Sequence, residues 1–229
     1  YEGWADYVEA ILNRHSKKPL NLIDLACGTG SSTIPFARRN YRVTGVDYSD
    51  SMLSIARMKI EKEKLPVTYL QADLRNLNLP EKFDLALLFQ DGINYLLDEY
   101  SLRKALVNIQ MHLDTGSLFI FDLTRPKMRS SENDFKTYFA DLDEYTLIWE
   151  SSFDSITELW TIDLTFFVQT ENGHYKKFKE KHQEKEYTPE TITALLVETG
   201  FSIINIHPSF SMGTVQGNEE KLTFIAEKI

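Results

Sequence analysis

The sequence predicts an α/β fold, a doubly wound and mostly parallel seven-stranded sheet with an antiparallel β-sheet insertion. Three observations carry the prediction. From Leu20 to Leu123, short apolar runs alternate with helix-length segments, the rhythm of crossover units on a parallel sheet. Asp24, Asp47 and Asp73 stand at the ends of three successive runs, and the first run ends in a glycine-containing turn. From about Phe135 to Tyr187 the period shifts to two, which is sheet alternation without helical patterning.

The elements follow in order. Trp4 to Arg14 carries Val8, Ile11 and Leu12 at helical spacing. Leu20 to Leu25 is a buried strand, and Ser31 to Arg39 a helix in which Ser31 or Ser32 can cap and Pro35 is tolerated in the first turn. Tyr41 to Val46 is a second strand. Ser49 to Lys64 is a helix whose start is crowded with the capping residues Ser49, Asp50 and Ser51. Pro66 to Leu70 is a third strand. Phe83 to Phe89 is a fourth, nearly unbroken in its apolar character and so expected at the sheet centre. Glu99 to Leu113 is a helix that Gly116 is expected to end as a left-handed residue, and Ser117 to Leu123 is a fifth strand.

In the next stretch, Trp160, Ile162, Leu164, Phe166 and Val168 alternate with polar Thr161, Asp163 and Thr165, which predicts one buried face. Glu171-Asn172-Gly173-His174 reads as a hairpin turn. Thr188 to Thr199 is a helix closed by Gly200, and Phe201 to His207 and Lys221 to Glu227 are the last two strands. Residues 1–134 and 188–229 are therefore expected to form the α/β domain. Residues 135–187 form an antiparallel insertion, either over the site or at a dimer face.

Composition narrows the function. The 229 residues, 42% apolar, suit one domain with a modest insertion. With 25 Lys and Arg against 34 Asp and Glu, the net charge of −9 argues against nucleic acid, whose binders rely on a basic face. It suits a neutral or cationic small molecule instead. A single cysteine, Cys27, excludes an intrachain disulfide framework and fits a reducing, cytoplasmic setting. No run approaches the roughly 20 apolar residues that cross a bilayer, and no metal-ligand spacing or signal segment stands out.

The turn Asp24-Leu25-Ala26-Cys27-Gly28-Thr29-Gly30 lets the backbone reverse sharply and lie against a ligand. It is not a dinucleotide fingerprint: counting from Gly28 the sixth position is Thr33, and counting from Ala26 the first is not glycine. Asp47 is placed to accept both hydroxyls of a ribose. Its alternative role, a helix cap, is already filled by Ser49 and Asp50. Asp73 is placed to accept an adenine amino group, or is an ordinary loop acid.

Together DLACGTG, VTGVDYSDSML, LQADLRNLNLP, FDLALLFQDGINYL and LDTGSLFIFDL resemble class I S-adenosylmethionine-dependent methyltransferases over nearly the whole chain. Ala26 stands where many members have glycine, and Thr115 precedes Gly116 where a second glycine is common. Trp149, the DLTFF run, and Tyr175 to Phe178 with Glu180 and His182 to Tyr187 are similar to a narrower branch. It includes amino-sugar N,N-dimethyltransferases and glycine N-methyltransferase-like enzymes. The resemblance implies S-adenosyl-L-methionine as cofactor and S-adenosyl-L-homocysteine as product. It implies binding through Asp24, Ala26, Gly28, Gly30, Asp47, Tyr48, Met52, Asp73, Leu74 and Gln90. It also implies a lid before the first helix, expected to be cut short here because the sequence begins at Tyr1.

Methyl transfer needs the acceptor aligned, water excluded and, for an ammonium or alcohol, a proton removed. The pocket is expected beyond the fourth strand, where Phe89, Gln90, Asp91, Gly92, Asn94 and Tyr95 emerge, with Asp91 and Tyr95 toward the methyl group. His182 and Glu180 share a strand face and either overhang the site or belong to a solvated charged strand. His15, His112, His174 and His207 are expected on surfaces, and Cys27 as a small filler. The chain reads as a methyltransferase of a small acceptor, an amine nitrogen among the candidates, in a monomer or homodimer. A non-catalytic cofactor-binding or regulatory module and a tRNA-modifying methyltransferase stay open.

Overall fold

Apolar runs become strands β1 (Asn21–Leu25), β2 (Arg42–Asp47), β3 (Val67–Gln71), β4 (Phe83–Leu88) and β5 (Leu113–Thr124), with β10 (Phe201–Pro208) and β11 (Lys221–Lys228) closing the sheet. The computed structural model describes residues 1–125 and 136–229. The strand order is β10-β11-β5-β4-β1-β2-β3, parallel from β5 to β3, with β11 antiparallel to both β5 and β10. β4 is central as its composition requires. Its Leu85, Ala86, Leu87 and Leu88 are fully buried, because helices cover both faces.

On one face lie α1 (Glu2–Arg14), α2 (Thr33–Arg38) and α3 (Asp50–Glu63), built on Val8, Ile11, Leu12, Phe36, Leu53 and Ala56. On the other lie α4 (Glu99–Met111) and α5 (Pro189–Glu198), which bury Leu102, Leu106, Ile192 and Leu196 with Phe119, Phe121 and Phe224 of the sheet. Side-chain caps start three of the helices: Ser49 accepts from Met52 N, Asp98 from Ser101 N and Thr188 from Thr191 N.

A second sheet of β6 (Lys136–Asp141), β7 (Tyr145–Asp154), β8 (Leu159–Gln169) and β9 (Tyr175–Lys185) is antiparallel throughout. The alternation along β8 is realised unevenly. Trp160 and Ile162 are buried, whereas Leu164, Phe166 and Val168 are half-exposed toward the far end. The expected boundary between residues 134 and 135 lies outside the described residues. At the other end of the insertion, Lys185 N donates to Asn94 O, and Asn94 Nδ2 donates to Lys185 O, tying β9 to the loop after β4.

Three expectations are corrected. Gly116 does not end the preceding helix. α4 stops at Met111 with His112 as its cap, and Gly116, at φ +85°, lies inside β5 where the β4 pairing jumps from Phe83↔Leu113 to Leu85↔Leu118. It serves a bulge, which needs the left-handed freedom that a helix end also uses. Ser32 does not cap α2 with its side chain. Its hydroxyl, with that of Thr33, donates to Asp24 instead. His112 and His207 are buried rather than superficial. His112 accepts from Leu79 N through Nε2, and His207 Nδ1 lies 2.9 Å from Gly213 O.

Candidate active site

The carboxyl ends of β1, β2, β3 and β4 converge on one edge of the sheet, where ligands of open α/β sheets bind. After β1 the chain turns through left-handed conformations at Ala26 (φ +51°), Gly28 (φ +55°) and Gly30 (φ +73°). A Cβ on Gly28 would face open space bounded by Met52 Sδ at 3.8 Å, whereas one on Gly30 would collide with the Tyr69 hydroxyl. The first glycine leaves room for a ligand, and the second lets β3 and α3 close behind the turn. Ala26 carries a side chain at a backbone angle that glycine adopts without strain.

Asp24 holds this turn from within. Only 2% exposed, it accepts from Ser32 Oγ at 2.9 Å and Thr33 Oγ1 at 2.6 Å, and burial raises its carboxyl to about 6 against those two donors. Its influence on a ligand passes through the residues it fixes. Asp47 does the same from β2, accepting from Gly28 N at 2.8 Å and Ser49 N at 2.8 Å. It is partly exposed beside Tyr48 and Met52, which are 73% and 43% exposed on the rim. At the end of β3, Asp73 accepts three bonds from the Arg75 guanidinium and one from Arg75 N, which hold its carboxyl below the usual range. Leu74 begins the short 3-10 turn that follows and packs on the core.

Sequence reasoning passed over Lys59, whose Nζ donates to Thr29 Oγ1 at 2.9 Å and Ser31 Oγ at 2.8 Å. It sets a fixed cation beside the glycine turn. Its helical spacing from Met52, two turns back along α3, was the available signal.

Beyond β4, Gln90 and Asp91 both adopt left-handed backbone angles, φ +59° and +65°. Side chains rarely accept that conformation, and Asp122 of β5 sustains it. Its two carboxylate oxygens accept from Gln90 N and Asp91 N, each at 3.0 Å. Asp122 is 1% exposed, and burial raises its carboxyl despite Lys221. Lys221, at the start of β11, donates to Asp91 at 2.6 Å and lies 3.4 Å from Asp122. Thr124 Oγ1 also donates to Asp91.

The expected pocket lining is therefore sorted by the structure. Asp91 is engaged by Lys221 and Thr124, Asn94 is buried as a tie between β5 and β9, and Phe89 is buried edge-on against Trp4. Tyr95 stands out from this loop. Its hydroxyl is 3.0 Å from His182 Nδ1, and Glu180 lies 3.4 Å from His182 Nε2. Burial, then Glu184, Asp91 and Glu180, push the Tyr95 phenol up to about 12. Tyr95 and His182, 87 residues apart, are thus brought together. Lys221, Asp122 and Glu184 complete the neighbourhood; Lys221 lies in no motif, and the motifs that contain Asp122 and Glu184 do not single out either carboxylate. Among the described residues, no group of three or more His, Cys, Asp or Glu could hold a metal ion.

Comparison with known proteins gives a consistent result. Residues 22–116 match the family model described as a methyltransferase domain. YqeM of Bacillus subtilis (strain 168), which carries a provisional methyltransferase name, is 31% identical, and the match covers 100% of this chain and 90% of YqeM. An S-adenosylmethionine-dependent methyltransferase from Clostridium acetobutylicum ATCC 824 superposes with a TM-score of 0.91 at 30% identity, covering 100% of this chain and 92% of that one. An amino pentose methyltransferase from Micromonospora echinaspora, solved with S-adenosylmethionine bound, shares the fold with a TM-score of 0.76. It is 20% identical, with 98% and 89% of the two chains covered.

Proposed function

The chain belongs to the S-adenosylmethionine-dependent methyltransferases, and from that premise we propose that it methylates a small molecule, at an amine nitrogen. The observation that carries this reading is the Tyr95–His182 contact. It joins two proton-handling groups, Tyr95 from the loop after β4 and His182 from β9 of the second sheet.

The residues fit the cofactor. The space beside Gly28 admits a ligand against the backbone, Asp47 borders it, and Tyr48 and Met52 stand exposed to cover it. In this proposal Ala26, Gly28 and Gly30 shape the cradle, and Asp24 keeps it rigid. Asp47 takes the ribose, the segment Asp73–Leu74 borders the adenine, and Gln90 stands beside the methionine part. When bound, the cofactor supplies an activated methyl group on a sulfonium, whose thioether leaves readily.

The chain's own residues then align the acceptor and exclude water. Tyr95 orients the acceptor from the loop after β4. His182 holds the Tyr95 hydroxyl, and Glu180 holds the far side of the imidazole. Asp91 acts as a positioning residue, because its carboxylate fixes Lys221 and Thr124. The second sheet roofs the acceptor, with Trp160 and Ile162 as its anchored end.

Calorimetric titration with S-adenosylhomocysteine, with NAD as control, tests the reading on wild type and Asp47→Ala. Micromolar binding of the first ligand alone, lost in the variant, is expected. No binding to folded wild-type protein would overturn it.

A further inference from the structure

The structure assigns a role to a residue near the end of β9: we propose that Glu184 binds the acceptor as an ammonium ion and removes its proton, so the acceptor is a primary or secondary amine. This inference rests on the methyltransferase reading and specifies the substrate class of that site.

Placement comes first. Phe178, Glu180, His182 and Glu184 alternate along β9 and share one face. His182 on that face reaches Tyr95, and Glu184 stands one step nearer the main sheet, opposite Trp160 on β8. The next residue, Lys185, is bonded through both backbone groups to Asn94, three residues beyond Asp91 and adjacent to Tyr95. Glu184 is therefore carried on backbone fixed at the loop that lines the site, which is what a precise proton acceptor requires.

Charge comes second. The groups facing Glu184 are Asp91 and Tyr95 from the loop after β4, Asp122 from β5, Lys221 from β11, and Glu180 and His182 from its own strand. Lys221 is committed to Asp91 and Asp122. Among the described residues, none donates a hydrogen bond to the Glu184 carboxylate. Three carboxylates, Glu184, Asp91 and Asp122, thus share one lysine, an arrangement complementary to a cation and repulsive to an anion. Burial, with the charges of Asp91 and Asp122 outweighing Lys221, raises the Glu184 carboxyl to about 7, the range in which a general base works best at neutral pH.

The step balances within the pair. The N–H bond of the ammonium breaks and its electrons stay on nitrogen. The proton joins a Glu184 oxygen, leaving a neutral amine and a neutral carboxylic acid. The freed lone pair is the nucleophile, and Glu184 returns its proton to water when product leaves.

The test uses the full chain loaded with S-adenosylhomocysteine, titrated with benzylamine, cyclohexylamine and glucosamine against benzyl alcohol, cyclohexanol and glucose. At about pH 8, at least one amine should bind about tenfold more tightly than its hydroxyl counterpart. Glu184→Gln should erase that preference while keeping S-adenosylhomocysteine affinity within about twofold. No amine preference in wild type, or a preference retained in Glu184→Gln, would overturn the proposal. If the variant loses S-adenosylhomocysteine binding, wild type decides alone: a preference that grows from about pH 6 to about pH 8 supports the proposal, and a flat one overturns it. Failure of wild type to bind S-adenosylhomocysteine would instead bring down the methyltransferase reading, and this inference with it.

Discussion

The Tyr95 hydroxyl lies 3.0 Å from Nδ1 of His182 and so joins the loop after the central strand to the far strand of the second sheet. Neither residue is placed by its own element alone. Tyr95 depends on a loop whose left-handed start is held by Asp122, and His182 on a strand whose end is tied to Asn94.

Removing either partner should lower turnover without emptying the cofactor site. Tyr95→Phe and His182→Ala are expected to reduce kcat by roughly 10²-fold, the lower range for a positioned proton-handling group. S-adenosylhomocysteine affinity should stay within about twofold, and the double variant should be no worse than either single one, since the pair acts as a unit. Steady-state kinetics with calorimetry on all three proteins checks this.

The two turn glycines should separate folding from binding. Gly28→Ala meets only Met52 Sδ at 3.8 Å, so it should cost about 1 kcal/mol for the left-handed angle while abolishing S-adenosylhomocysteine binding. Gly30→Ala runs into the Tyr69 hydroxyl and should cost on the order of 3 kcal/mol. Tyr69→Phe should return part of that loss. Urea unfolding of the single and double variants provides the measurement.

Much of this was legible from residue patterns. Strand runs and caps are local properties, so the sheet, its centre at Phe83–Leu88 and the cap at Ser49 follow from composition and spacing. What escaped depends on contacts across the chain. Gly116 has the same chemistry in a bulge as at a helix end, and only the β4 register distinguishes them. Lys221 meets Asp91 across 130 positions, and nothing near either predicts the other. His112 is buried because its ring accepts from Leu79 N, a contact no helical period reveals. Glu184 looked like one more charge in a solvated run, and β9 was too polar for its inner face to declare itself.

Asp122 should prove important to the loop after β4 although it stands on a different strand, β5. Asp122→Ala removes acceptors for two backbone donors at left-handed residues and leaves Lys221 with Asp91 alone. Stability should fall by roughly 3 kcal/mol. Hydrogen exchange should quicken at Gln90 and Asp91 while the amides of β1 stay protected. Denaturant melts and exchange mass spectrometry test both effects.

Asp24 supplies the last prediction, which concerns pH. Burial raises its carboxyl in the folded protein to about 6 from 3.8, so the fold binds the proton more tightly than the unfolded chain. Its contribution is fully present below the unfolded value, and stability is lost as pH rises through the folded one. Asp24→Asn keeps an acceptor for Ser32 and Thr33 but cannot ionise. The stability of wild type relative to Asp24→Asn should therefore fall between about pH 4 and about pH 7, by an amount on the order of 2 kcal/mol. The difference between the two proteins isolates this group from the surface carboxylates, such as Asp73, whose lowered values act in the opposite direction. Thermal melts of both proteins across that range measure it. A difference that does not change with pH would mean that Asp24 is charged in the fold and balanced by its two hydroxyl donors.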